Sequence, residues 1–176
     1  MWAPVPLRLI VGLGFMEHGY AKLIRGPDVF ASILHGLGVP APHLMAWLTI
    51  VTELLGGFAV LVGAFLVLVS VPMAVVLLTA IFSVHWQYGF LSIKLLAVTP
   101  AGPQFGPPGY ECNLLYLACL AALVLSGAGP VSLDAAFSRR RASRAAEDGF
   151  SDRIPSESGA HPIIRHDRMH SIRSMQ

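Results

Sequence analysis

The stretch PHLMAWLTIVTELLGGFAVLVGAFLVLVSVPMAVVLLTAIFSVHW, residues 42–86, decides the fold, and it carries one charged side chain, Glu53. A helix needs about 20 apolar residues to cross the roughly 30 Å hydrocarbon core of a bilayer. The stretch is too long for one crossing and long enough for two, and Gly63 is the natural break. It therefore predicts two antiparallel membrane helices, over about 43–63 and 64–84, joined by a tight turn.

Two further apolar runs, at about 5–24 and 110–129, flank this stretch. Of the 176 residues, 55% are hydrophobic and only 12% are charged, about half the charged fraction of a typical soluble domain. The sequence therefore predicts an all-α fold, a four-helix integral membrane bundle over residues 1–136.

The remaining residues, 137–176, are rich in arginine, serine and acids and poor in large apolar side chains. Such a composition favours a disordered tail, and a basic tail beside a membrane does not indicate nucleic-acid binding. Its first arginines, Arg139, Arg140, Arg141 and Arg144, closely follow the last apolar run. By the positive-inside rule, both termini are expected to be cytoplasmic in a four-span protein of a bacterial-type plasma membrane.

Ionisable side chains inside the apolar runs are candidates for a functional site, because burying them in lipid is costly unless they face the bundle interior. At 1.5 Å per residue, Glu17 and His18 lie about 18–20 Å and Glu53 about 15 Å from the cytoplasmic ends of their helices. His85 ends the third helix, and Glu111 begins the fourth. We therefore expect a polar cluster in the outward half of the bundle, with Glu53 paired to His18.

In this interpretation Glu53 relays protons, His18 hydrogen-bonds to Glu53 or to a ligand, and Glu111 gates the pocket from the surface. Polar groups in membrane bundles also serve as interhelical hydrogen bonds, so a structural role for Glu53 and His18 stays open. Simple hydration is the alternative for the remaining candidates, Glu17, His85 and Glu111. Lys22 is expected to extend towards the lipid headgroups.

The spacing of potential ligands does not favour a metal centre, because no two histidines lie three or four residues apart in one helix. The cofactor stays unknown, but an apolar slot with a histidine or carboxylate at its head would suit a quinone. Cys112 and Cys119 are seven residues apart in one apolar run, about 10 Å along a helix. That separation is too large for a disulfide.

Small residues predict where helices approach each other closely. Gly12 and Gly19 share one face of the first helix with Arg8 and Phe15, and a second set of glycines follows Glu53. The predicted packing glycines are Gly12, Gly19, Gly56, Gly57 and Gly63.

Three motifs follow one another along the chain. Residues 8–23 contain Arg8, Phe15, Gly19 and Lys22; residues 52–65 contain Glu53, Gly56, Gly57 and Gly63; residues 110–137 contain Glu111, Gly127, Gly129, Ser132, Leu133 and Asp134. In this order and at these spacings they resemble the DoxX family of small four-helix membrane proteins. The resemblance covers about residues 7–137 and excludes the tail.

The resemblance implies a small subunit of, or a partner to, a quinone- or thiol-linked redox system in the membrane, associated with other subunits of such a complex. It does not imply that the chain itself is an enzyme, since many members of the family have no assigned activity. Two other classes stay open: a non-catalytic scaffold that recruits soluble enzymes, and a carrier of small solutes or protons, for which carboxylates and histidines would serve as relays.

Overall fold

The chain is mostly helical, as predicted, in a computed structural model that describes residues 2–129 and 131–151. Two of its helical stretches are interrupted by short π-helical segments, Thr52–Gly56 and Ile81–His85. A 3₁₀ turn, Trp86–Tyr88, follows the second of these segments. The α-helices are α1 Pro4–Arg25, α2 Pro27–Gly36, α3 Pro42–Val51, α4 Gly57–Val62, α5 Leu66–Ala80, α6 Glu111–Ser126 and α7 Leu133–Ser151.

Two continuous helical stretches, Pro42–Val62 and Leu66–Tyr88, are long and apolar enough to cross a membrane. The turn between them lies at Gly63, where φ is +69°. Glycine adopts this left-handed conformation without steric cost, and the break therefore falls where the sequence predicts it. The helix α6 is apolar but shorter, and α1 carries several charges. The count of four crossings stays a prediction.

Helix α1 packs closely on the stretch Pro42–Val62 through glycine. A Cβ atom on Gly12 would lie 2.8 Å from the Gly57 carbonyl oxygen, and one on Gly57 would lie 2.7 Å from the Gly12 carbonyl oxygen. Gly19 lies against Leu54 in the same way. Gly56, another of the predicted packing glycines, faces Met73 of α5, because neighbouring residues of a helix diverge by about 100°.

The side chain of Arg8 joins helix ends that are far apart in the sequence. This side chain is buried and donates hydrogen bonds to main-chain carbonyl oxygens from the end of α4 and from the segment after α6. The acceptors are Val60 (3.1 Å), Leu61 (2.7 Å), Ala128 (2.9 Å) and Val131 (2.6 Å). The planar guanidinium has five N–H donors, so one side chain satisfies carbonyl groups that the helix ends leave without partners.

Gly63 lies beside this arginine network. A Cβ atom on Gly63 would lie 2.7 Å from the Arg8 Cζ and 2.6 Å from the Ser132 Cβ. The Gly63 carbonyl also accepts a hydrogen bond of 3.2 Å from the Asp134 amide. Gly63 thus both makes the turn and leaves room for the neighbouring side chains.

The expectation of an entirely α-helical fold is wrong in one place. Strands β1 Leu95–Thr99 and β2 Gly102–Phe105 form an antiparallel hairpin in which Thr99 pairs with Gly102. The connection is two residues long, and Gly102 has φ +118°. The β-branched residues at the end of β1 favour a strand, and they pair with β2 across the two-residue connection.

The structure also differs from the prediction of disorder from residue 137 onward, because α7 runs through Ser151. Alanine and arginine are strong helix formers, and polarity alone does not oppose a helix. The Ser132 hydroxyl accepts a hydrogen bond of 3.1 Å from the Ala135 amide, an N-cap for this helix. The rest of the predicted tail, 152–176, lies outside the described residues.

Candidate functional site

A cavity of about 420 Å³ lies between α1, α5, α6 and the two π-helical segments, Thr52–Gly56 and Ile81–His85. Three of the five candidate residues line it, namely His18, Glu53 and His85, whereas Glu17 and Glu111 do not. The other lining residues are Phe15, Lys22, Val76, Leu77, Ala80, Ser92, Pro108, Gly109, Cys112, Asn113 and Tyr116.

The partner of Glu53 is Lys22 and not His18. The Lys22 Nζ lies 2.6 Å from both carboxylate oxygens of Glu53. The side chain of Glu53 is only 5% exposed, and that of Lys22 is 24% exposed. The prediction that Lys22 extends to the headgroups is therefore wrong. Lys22 lies one helical turn beyond His18 on the same side of α1, and its longer side chain reaches the carboxylate.

Lys22 has a second contact, because its Nζ lies 5.3 Å from the centre of the Phe30 ring in α2. An ammonium over an aromatic face is attracted by the ring quadrupole. Helix α2 therefore helps to position Lys22 at the cavity.

The two adjacent candidates in α1 have different surroundings. His18 and Glu17 are both exposed in the isolated chain, but His18 lines the cavity and Glu17 does not. Successive residues of a helix point about 100° apart, so one of the pair faces the cavity and the other faces away.

Each of the two π-helical segments contributes one ionisable side chain to the cavity. Glu53 lies in Thr52–Gly56, and His85 is the last residue of Ile81–His85. A π segment adds a residue to a helical turn and is frequent at functional sites. The regular helical spacing assumed from the sequence does not predict these insertions, and they change which residues face the cavity.

The rim of the cavity is formed by the connection between α5 and α6. The His85 Nδ1 lies 2.9 Å from the Pro108 carbonyl oxygen, and the Gly109 amide donates to the Leu91 carbonyl over 2.9 Å. The Lys94 ammonium donates to the Tyr88 carbonyl in the same connection. This connection therefore has a defined structure at the cavity.

Glu111 belongs to the structure of the rim. Its Oε2 accepts a hydrogen bond of 3.0 Å from the Ser92 amide. The Ser92 hydroxyl in turn accepts one of 3.1 Å from the Cys112 amide in the first turn of α6. Ser92 thus acts as an N-cap supplied by a distant segment. The gating role of Glu111 stays a prediction.

Apolar side chains also line the cavity. Phe15 and Tyr116 meet edge to face, with their ring centres 5.6 Å apart and an interplanar angle of 87°. Val76, Leu77 and Ala80 of α5 belong to the same lining. The cavity therefore combines an apolar wall with a small number of polar groups, the usual composition of a small-molecule site.

Ser92, Asn113 and Tyr116 also line the cavity and are not predicted from the sequence. Ser92 lies in a connection, and Asn113 and Tyr116 lie in the first turns of α6, one turn apart on the same face. The polar positions that follow Glu111 at a spacing of one helical turn are the sequence feature that indicates a polar face at the start of α6. Within residues 2–129 and 131–151, no group of three or more His, Cys, Asp or Glu residues is arranged to hold a metal ion.

Comparison with known proteins identifies the family. The family model DoxX matches residues 3–86. A protein of Mycobacterium tuberculosis named "Uncharacterized membrane protein Rv3486" is 30% identical over 141 residues, which cover 76% of this chain and 80% of that protein. The chain belongs to the DoxX family. The resemblance predicted from its three motifs is thereby confirmed, and this DoxX-family chain is a membrane protein.

The family match covers α1, α5 and the two π-helical segments at the cavity. Residues 3–86 include Lys22, Glu53 and His85, whereas the rim and α6 lie beyond the matched range. No solved structure matches this DoxX-family chain.

Proposed function

We propose that this DoxX-family protein is a small subunit of a membrane redox system and that its cavity holds the headgroup of a quinone. The observation that carries the proposal is the composition of the cavity. The cavity is lined by apolar side chains, among them Phe15, Leu77 and Tyr116, and by the Lys22–Glu53 ion pair. A quinone has the same two parts, an apolar ring with its tail and two polar carbonyl groups.

Donors for those carbonyls are available at the polar end. The Lys22 ammonium has three N–H groups, of which Glu53 takes two. The His18 ring and the Asn113 amide also line the cavity and are able to donate. The Lys22–Glu53 pair joins a proton donor to a proton acceptor, so it supports the proposed role of Glu53 as a relay when the headgroup gains or loses protons.

The proposal includes four membrane crossings, made by α1, by Pro42–Val62, by the stretch that begins with α5, and by α6. The arginines Arg139, Arg140 and Arg141 follow α6 closely, so the positive-inside rule favours cytoplasmic termini in a plasma membrane. The cavity then lies in the outward half of the bilayer, where an amphiphile is able to enter it from the lipid.

Binding to the full chain in lipid nanodiscs tests the function. Two probes, decylubiquinone and menadione, are titrated while the fluorescence of the protein is recorded. Val76 lines the cavity, whereas the adjacent Val75 is 57% exposed on α5. Val76→Trp should fill the cavity and weaken binding at least tenfold, and the matched control Val75→Trp should bind as the wild type does.

Saturable binding of either probe that depends on Val76 supports the proposal. Two results contradict it: neither probe saturates, or Val76→Trp and Val75→Trp bind equally well. A scaffold without a ligand site is expected to give the first of these results.

A further inference from the structure

The structure defines which ring nitrogen of His85, a residue that lines the cavity, carries the hydrogen. Its Nδ1 lies 2.9 Å from the Pro108 carbonyl oxygen. A carbonyl oxygen only accepts hydrogen bonds, so Nδ1 must carry the hydrogen. In the neutral imidazole the other nitrogen, Nε2, then has a lone pair and is an acceptor.

The position of the Pro108 carbonyl is itself defined by its neighbours. The next two amides, those of Gly109 and Tyr110, donate to the Leu91 and Gly89 carbonyl oxygens over 2.9 Å and 3.1 Å. Gly109 is also buried. The carbonyl that orients His85 therefore lies on a constrained segment, and the imidazole is held in one tautomer.

His85 differs in this respect from the other polar groups of the cavity. The Asn113 amide offers a donor and an acceptor, and the His18 ring is able to present either nitrogen as the donor. These groups accommodate a ligand carbonyl and a ligand hydroxyl equally well. A neutral His85 accommodates only a donor, because a carbonyl oxygen opposite Nε2 would bring two acceptors together.

From this geometry we infer that His85 makes the cavity selective for the hydroxyl-bearing, reduced form of its ligand, the quinol. The quinol O–H donates to Nε2, and the quinone has no hydrogen to offer there. The inference rests on the proposed function and adds to it a specificity-determining residue and the preferred form of the ligand.

The experiment compares decylubiquinol with decylubiquinone, each titrated into the full chain in nanodiscs under argon. The wild type should bind the quinol about fivefold more tightly, the value of one net hydrogen bond. His85→Asn keeps an amide nitrogen near the position of Nδ1, where it is able to donate to Pro108, and has no group in the place of Nε2. This variant should bind both forms equally, with its affinity for the quinone unchanged.

His43→Asn is the matched control, because His43 is an exposed histidine beside Asp28 and does not line the cavity. It should keep the preference of the wild type. A wild type that binds the quinone as tightly as the quinol overturns the inference, whatever the fold of the variants. A His85→Asn protein that still binds the quinol more tightly than the quinone also overturns the inference. In both cases the proposed function stands, whereas failure to bind either form contradicts the proposed function as well.

Discussion

The Lys22 ammonium lies 2.6 Å from each carboxylate oxygen of Glu53, thirty-one positions further along the chain. The pair joins α1 to the π segment Thr52–Gly56 at the head of the cavity. Because the charges neutralise each other, the chain places ionised groups at the cavity without leaving an uncompensated charge in an apolar environment.

Breaking this pair from one side should be more harmful than removing it altogether. Lys22→Met leaves a buried carboxylate without its cation, and we expect it to lower the free energy of unfolding by about 3–5 kcal/mol. The double variant Lys22→Met with Glu53→Gln removes both charges and should recover at least half of that loss. Thermal unfolding in detergent measures both effects. Equal stability of the single and double variants would contradict a role for charge pairing.

Arg8 should not be replaceable by lysine. Lysine keeps the positive charge, but its compact ammonium does not match four carbonyl acceptors in the plane of a guanidinium. We expect Arg8→Lys to cost about 3 kcal/mol, since hydrogen bonds to charged donors contribute about 1.5–3 kcal/mol each. The measurement is the midpoint of thermal unfolding. Arg25→Lys, at the exposed end of α1, is the control and should leave the midpoint unchanged.

The contact between α1 and Pro42–Val62 should not tolerate an added methyl group at Gly12. Its Cβ would lie 2.8 Å from the Gly57 carbonyl oxygen and 2.9 Å from the Leu61 Cβ, so the helices must separate. Gly12→Ala should therefore destabilise the protein by about 1–3 kcal/mol.

The control for this prediction is Gly36→Ala at the end of α2, where no atom lies within 4 Å of the added Cβ. Alanine is the better helix former, so this variant should be neutral or slightly more stable in the same unfolding assay. If both variants destabilise the protein equally, close packing at Gly12 is not the cause.

Removal of the Ser92 hydroxyl should loosen the start of α6. Ser92→Ala takes away the acceptor for the Cys112 amide, and loss of an N-cap costs about 1 kcal/mol. Hydrogen exchange of the first-turn amides of α6 should become about fivefold faster. Ser126→Ala at the other end of α6, where the hydroxyl donates to the Ala122 carbonyl, should leave these amides unaffected. Unchanged exchange in Ser92→Ala would rule out the cap.

Local patterns predicted much of the helical framework. The length of the apolar runs and the position of Gly63 located the turn between Pro42–Val62 and Leu66–Tyr88. The hairpin β1–β2 was missed because its strands are short and lie in a segment rich in proline and glycine. A polar composition favours disorder but does not exclude a helix, and α7 forms because alanine and arginine are strong helix formers.

Only part of the candidate site follows from the sequence. Depth along the helices selected Glu17, His18, Glu53, His85 and Glu111, and three of these, His18, Glu53 and His85, line the cavity. It did not predict that Lys22 would take the Glu53 carboxylate, because the outcome depends on side-chain length and on the approach of α1 made possible by glycine. It also did not predict that Glu111 would bind the Ser92 amide, a contact between segments nineteen positions apart.

The hydropathy of a helix reflects the solvent around it, and the spacing of its glycines reflects the room between helices. Both features are therefore predictable from the sequence alone. The surroundings of each polar group, in contrast, depend on residues that are distant in the sequence. The π segments rotate Glu53 and His85, and the main-chain hydrogen bonds of the rim orient the Pro108 carbonyl that selects the tautomer of His85. These contacts exist only after the helices have packed, because each one joins groups from different parts of the chain.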